Sequence, residues 1–148
     1  MGNLKLTSSA FSDGGEIPRE CGYKNGNKKP ELSVSGLPDG RKSLALIMDD
    51  PDAMGAVGKV WVHWVVWNIN SYGPRVVDVM TGTKGMTDFG EVGYGGPAPP
   101  DKRHTYVFKL YALDSELDLP GKSTKADVEK AMEGHIIEQA TLTGTYAP

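Results

Sequence analysis

Two short stretches hold the side chains best suited to chemistry: Asp49-Asp50-Pro51-Asp52 followed by His63, and Gly93-Tyr94-Gly95-Gly96-Pro97 followed by His104 and Tyr106. They contain two of the chain's three histidines and a cluster of carboxylates. Each couples a turn rich in Gly, Pro or Asp to a strand-like run that carries a histidine. A carboxylate can hold one imidazole nitrogen, fix the tautomer and leave the other nitrogen for a ligand. In the second stretch the lack of side-chain bulk lets backbone amides approach a ligand and form an anion-holding concavity. Pro97, Pro99 and Pro100 stiffen the segment leading to His104, which lowers the ordering cost of a preformed site. His104 and Tyr106, two residues apart on a strand, point the same way. The chemistry is that of a small polar pocket at the edge of a β-sheet, and it favours binding over catalysis.

Sharper chemistries find less support. Zinc asks for three or four His, Cys or carboxylate ligands at recognisable spacing, and no His-x-x-x-His pair occurs. Magnesium held by Asp49, Asp50 and Asp52 would rest on those three acids alone. The glycine-rich loop lacks the Gly-Lys-Ser or Gly-Lys-Thr ending of a Walker loop, and no Gly-x-Ser-x-Gly is present. Asp50 with His63 and His104 could serve acid–base work, yet no group stands out as a nucleophile. The expectation is a protein with no metal, no cofactor and no catalytic residue. His135 reads as a partly buried core histidine on the apolar stripe of a helix.

The elements that must position these residues are mainly β. Nineteen glycines and ten prolines punctuate the chain into short segments. Turns are expected at Asp13-Gly14-Gly15, Asn25-Gly26-Asn27, Leu37-Pro38-Asp39-Gly40 and Tyr72-Gly73-Pro74. Glu31 to Ser35 alternates polar and apolar, with Leu32 and Val34 on one face. Ser43 to Met48 is an apolar run suited to a strand covered on both sides, with the three aspartates at its exit. Trp61 to Ile69 is the most strand-like run. Period two places Trp61, His63, Val65, Trp67 and Ile69 on one face, and Val62, Trp64 and Val66 on the other. A second such run, Tyr106 to Leu113, sets His104, Tyr106, Phe108 and Leu110 on one face. One helix is expected, capped by Thr124 with Asp127 and carrying Val128, Ala131, Met132, His135 and Ile136 as its stripe. Thr141 to Tyr146 returns as a final strand.

The 148 residues read as a single domain, 1–148, able to bury roughly 68–70% of its unfolded surface. A formal charge of −3 and a pI near 5.6 argue against a nucleic-acid partner. No stretch is long enough to insert into a membrane, and the first twenty residues lack a signal-peptide pattern, so a cytoplasmic location is expected. Cys21 is alone and reads as a small buried or half-exposed thiol.

Asp-Pro-Asp-Ala at 50–53, Trp61-Val62-His63-Trp64, and Gly-Gly-Pro with His104-x-Tyr106 together resemble the two signature regions of the phosphatidylethanolamine-binding protein (Raf kinase inhibitor protein-like) family. The likeness is to its compact bacterial and archaeal branch and runs from about Leu4 to Tyr146. The resemblance implies a large central antiparallel sheet, a smaller sheet packed on it and a few peripheral helices. It also implies a pocket for phosphate or phosphorylethanolamine-like ligands, formed by Asp50, His63, Gly96, His104 and Tyr106 with Trp61 and Pro97 as walls. Asp52 matches the motif's second acid and is expected to shape the turn. Met54 stands where the family usually carries proline and Thr105 where it carries arginine, which implies weaker affinity; Arg103 should leave the opposite face of its strand.

The leading functional expectation is a small binding protein for a phosphorylated or otherwise anionic ligand, with affinity rising as pH drops through about 6.5. The alternative is an inhibitor of serine proteases or of a kinase, docking through the proline-stiffened loops at the pocket rim.

Overall fold

Strand-forming runs separated by turn residues account for most of the fold in the computed structural model, which describes residues 3–72, 76–77 and 81–148. Among these residues run ten strands: β1 (Lys5–Thr7), β2 (Gly15–Glu16), β3 (Ser33–Ser35), β4 (Ser43–Asp50), β5 (Trp61–Ile69), β6 (Ser71–Tyr72), β7 (Val76–Val77), β8 (Thr83–Lys84), β9 (His104–Leu113) and β10 (Ile136–Tyr146). Helix α1 (Ala53–Val57) follows β4, helix α2 (Lys125–Met132) precedes β10, and one turn of 3₁₀ helix spans Arg19–Cys21. The large sheet has the order β2-β10-β9-β4-β5-β8, and the small one β1-β3-β7-β6. Pairing is antiparallel except for the two-residue β2–β10 edge. The architecture is the expected one: mainly β, two sheets, few helices.

Apolar runs buried on both faces put β4, β5 and β9 at the centre of the large sheet. Every residue of β4 is buried, as its unbroken apolar run requires. One core lies between the sheets, where Leu6 and Val34 of the small sheet meet Leu46, Met48, Trp64 and Phe108. A second lies on the other face, where Ile47, Val65 and Trp67 pack with Val128 and Met132 of α2. Burying each such large side chain stabilises the fold by about 1.5–3 kcal/mol. Among the described residues no helix is long and apolar enough to cross a membrane.

Strict alternation fails in β5. Met48 pairs with Trp64, but Asp49 pairs with Val62, so His63 is an extra residue opposite one position of β4. A second irregularity falls between Leu44 and Leu46, opposite Asn68, whose φ of 55° is left-handed. These bulges regroup the side chains. Between the bulges the period-two expectation holds, with Trp64 and Val66 facing the inter-sheet core and Val65 and Trp67 facing α2, but beyond them Ile69 joins the Trp64 side and Val62 the Val65 side, against that expectation.

The helix forms where its cap is written. Thr124 Oγ1 accepts from the Asp127 amide and Asp127 Oδ2 from the Thr124 amide, a reciprocal capping box. Thr124→Ala removes one half of it. The expected loss is about 1 kcal/mol, read as a fall in urea midpoint without change in slope. The helix ends sooner than the apolar spacing suggests, because Gly134 adopts φ +80° and turns the chain into β10. His135 and Ile136 are therefore exposed, not part of the stripe, and His135 Nδ1 pairs with Asp114 at 2.8 Å. Cys21 is buried. Of the expected turns, Tyr72-Gly73-Pro74 reaches outside the described residues, whereas Gly14, Gly26 and Gly40 all adopt positive φ.

Candidate functional site

Asp50 is the last residue of β4 and shares the sheet face of Leu44, Leu46 and Met48. The β5 bulge places Trp61 and His63 on that same side, and β9 contributes His104 and Tyr106 from its first turn of alternation. These five side chains meet around a pocket of about 230 Å³. Ala53, Ala56 and Val57 of α1 form one wall, and Phe89, Ala98 and Pro100 close the other side. The His63 ring stands edge-on to Tyr106, centroids 5.1 Å apart, and to Phe89 at 5.3 Å. His104 lies on the far side of Tyr106, ring to ring 6.3 Å.

Phe89 has no counterpart in the motif reading. It is held there because Asp88 Oδ2 accepts from the Val62 amide at 2.7 Å and Asp88 Oδ1 pairs with Lys59 at 2.8 Å, tying the loop to the start of β5. Tyr23 stacks on its outer face at 4.0 Å. The walls from α1 are likewise invisible in a five-residue segment too short to show helical periodicity.

The three aspartates do not converge. Asp49 faces the α2 side, where its buried carboxylate accepts from Lys125 at 2.7 Å and Lys109 at 3.2 Å. Asp52 Oδ2 accepts from the Thr105 amide at 2.8 Å, stitching the start of α1 to β9. Asp50 Oδ1 accepts from the Asp52 amide at 2.9 Å and turns its other oxygen to His104. The magnesium option therefore has no geometric basis in these residues. Arg103 is turned away and pairs with Glu16.

Gly96 and Pro97 also depart from expectation. The Gly96 amide donates to Asn27 Oδ1 at 2.7 Å and the Gly95 amide to the His63 carbonyl at 2.8 Å, so neither is available to floor an anion site. Pro97 belongs to an adjoining groove with Arg19, Lys24 and Tyr146, not to the pocket wall. The loop is a packing device that anchors His63: its Nδ1–H donates to the Gly95 carbonyl at 2.7 Å, which fixes the tautomer with the lone pair on Nε2. The carboxylate expected to perform that task serves the other histidine.

His104 is bracketed. Nδ1 lies 2.6 Å from Asp50 Oδ2 and Nε2 lies 2.7 Å from Asp101 Oδ1. Carboxylates only accept, so both ring nitrogens carry protons and the ring is an imidazolium. Burial pulls its pKa down, but the hydrogen bonds and charges of Asp50 and Asp101 outweigh it and hold the pKa above the usual histidine value. Asp101 in turn is held below the usual carboxylate range by its bond to His104. His63 behaves oppositely, because burial outweighs its carbonyl partner and the nearby Asp50 charge and lowers its pKa. The single titration expected near 6.5 is thus split in two, one above and one below.

Among the described residues two buried side-chain polar atoms lack a partner. Trp67 Nε1 lies in the core under α2; the other is the Tyr106 hydroxyl. Asp50 and the Ala98 amide lie near that oxygen, but outside hydrogen-bonding geometry. Burial first, and the Asp50 charge second, push its pKa far up, so Tyr106 stays a protonated donor. Among the described residues no Lys or Arg lines the pocket.

Comparison with known proteins bears on the family and the fold. The family model described as phosphatidylethanolamine-binding protein matches residues 7–147. A UPF0098 protein of Methanothermobacter thermautotrophicus is 45% identical, over 97% of this chain and 98% of its own. The crystal structure of CT736, a phosphatidylethanolamine-binding protein homologue from Chlamydia trachomatis, superposes with a TM-score of 0.88 at 38% identity, covering 99% of this chain and 98% of that one. Escherichia coli YbcL gives 0.86 at 31% identity, with 98% of both chains covered. A carboxypeptidase Y inhibitor, solved with its cognate proteinase, shares only the architecture: TM-score 0.63 at 17% identity, over 98% of this chain and 83% of that one. The chain belongs to the phosphatidylethanolamine-binding protein family.

Proposed function

We propose that this protein is a non-enzymatic binding protein whose pocket accepts one compact phosphate-like anion, alone or as the phosphate of an O-phosphorylethanolamine-like head group. The observation that carries the reading is the Tyr106 hydroxyl, a buried donor left without a partner at the polar end of the pocket. Leaving such a group unsatisfied costs about 1–3 kcal/mol, a cost that an incoming acceptor oxygen removes. His63 stands beside it with a fixed ring, and Trp61, Phe89, Ala56 and Val57 supply apolar walls.

The net charge of the site refines the reading. Asp50, imidazolium His104 and Asp101 sum to −1, and no Lys or Arg of the described lining offsets them. Hydrogen bonding, not a cationic field, must therefore hold an anion here. His63 adds a second donor only once protonated, and its lowered pKa places that gain below about 6.5.

Calorimetric titration with O-phosphorylethanolamine and with inorganic phosphate tests the reading. Tyr106→Phe keeps the ring and deletes the donor, and should weaken binding about tenfold or more, as expected for a hydrogen bond to a charged group. Wild-type protein that takes up neither ligand at millimolar concentration, or unchanged binding by the Tyr106→Phe variant, would remove the assignment. The loop around Pro97 and Pro99 carries no feature that selects a protease or kinase.

A further inference from the structure

We infer that Asp101 is a resident competitor for the pocket: its carboxylate holds the place on His104 that the ligand's anionic group takes on binding. The inference rests on the anion-pocket reading and adds a residue to it that none of the motifs contains.

The geometry is that of a built-in ligand. His104 is fully buried, and Asp50, itself buried, holds its Nδ1. The only other hydrogen-bonding position on the ring, Nε2, is filled by Asp101, whose side chain is 43% exposed and reaches in from the loop between Pro100 and His104. One partner is thus part of the core and the other is a surface side chain. Asp101 sits three residues before His104, in a segment without helix or strand. Its carboxylate can withdraw by side-chain rotation with little disturbance to β9.

Charge makes the exchange favourable. An anion added while Asp101 stays in place would confront two carboxylates around one imidazolium, with no Lys or Arg in the described lining. A singly charged anion that replaces Asp101 leaves the charge around His104 as it was, with one acceptor exchanged for another. The released carboxylate then gains water, which a half-exposed side chain reaches readily. The Tyr106 hydroxyl and His63, already lining the same pocket, give the incoming group contacts that Asp101 does not make. Selectivity follows: only ligands with an acceptor at least as good as a carboxylate compete, and neutral molecules of the same size do not.

The latch imposes a tax on affinity, because the apparent dissociation constant rises by the inverse of the fraction of protein with Asp101 withdrawn. If that fraction is about one tenth, Asp101→Ala binds inorganic phosphate about tenfold more tightly than wild type. Asp101→Asn, which keeps an acceptor at the same position without its charge, should fall between them. Both are to be titrated calorimetrically with inorganic phosphate at low salt and at about 0.5 M ionic strength, where long-range repulsion is screened. A gain that persists at high salt in the order Ala, Asn, wild type supports the latch. A gain that disappears at high salt reduces Asp101 to a distant charge and overturns it. So does Asp101→Ala binding equal to or weaker than wild type, which leaves the pocket itself intact. Absence of phosphate binding in all three proteins overturns the pocket reading and the latch together.

Discussion

Asp50→Ala should lower the free energy of unfolding by about 3–5 kcal/mol, the usual cost of removing one partner from a buried ion pair. The substitution strips His104 Nδ1 of its acceptor inside the protein and frees the Asp52 amide at the entry to α1. It acts on the pocket and on the β4–α1 turn at once. The pH dependence identifies the cause. A histidine whose folded pKa is raised stabilises the fold fully below its unfolded value, about 6.5, and that contribution is lost as pH rises through the folded value. The gap between wild type and Asp50→Ala in urea unfolding should therefore be widest on the acid side of 6.5 and narrow above it. His63 contributes the reverse slope in both proteins: its folded pKa is lowered, so the unfolded chain binds the proton first and stability falls as pH drops below about 6.5. A pH-independent gap would show that His104 is not the charged partner of Asp50.

Gly96→Ala is the second large effect, at about 3 kcal/mol or more. A Cβ at this position would lie 1.9 Å from the Cys21 carbonyl oxygen and 3.0 Å from the Gly22 carbonyl carbon, both backbone atoms that cannot rotate aside. The two segments cannot simply separate. The Gly96 amide is tied to Asn27, the Tyr23 amide donates to the Pro97 carbonyl at 3.0 Å, and the Tyr94 hydroxyl donates to the Cys21 carbonyl at 2.8 Å. Gly121→Ala is the control, since nothing stands within 4 Å of its added carbon. It should change stability by less than about 0.5 kcal/mol. Chemical denaturation of both variants checks the contrast, and a loss under about 1 kcal/mol for Gly96→Ala would mean that the loop does not rest on the Cys21–Gly22 backbone.

Much of the architecture is written in local pattern. The apolar run from Ser43, the alternation of His104, Tyr106, Phe108 and Leu110, and the Thr124–Asp127 cap each depend on neighbours a few residues away, and each reappears in the structure. His63 meets Tyr106, with His104 beyond it, because β5 and β9 flank β4. Partners far along the chain set the rest. A bulge is a mismatch between two strands, so nothing in Trp61 to Ile69 alone shows that His63 and Trp64 share a side. The glycines of the second motif look like an anion cradle because the sequence does not show that Asn27 claims the Gly96 amide. Asp101 gives no signal, because a single acid in a Pro-rich loop resembles any solvated turn until the buried ring behind it is seen.

The place of β10 in the large sheet has a consequence for how the protein is made. β10 lies between β9 and β2, and β2 has no other neighbour in that sheet among the described residues: Gly15 faces Gly144 and Glu16 faces Thr145. The Asn3 and Leu4 amides, too, find their acceptor on Glu138 of β10. The segments around Leu4 and Gly15 therefore stay unanchored at this edge until β10 has been made. A nascent chain halted before β10 would display the flank of β9 as an open template, so a translation pause at that point carries an aggregation risk.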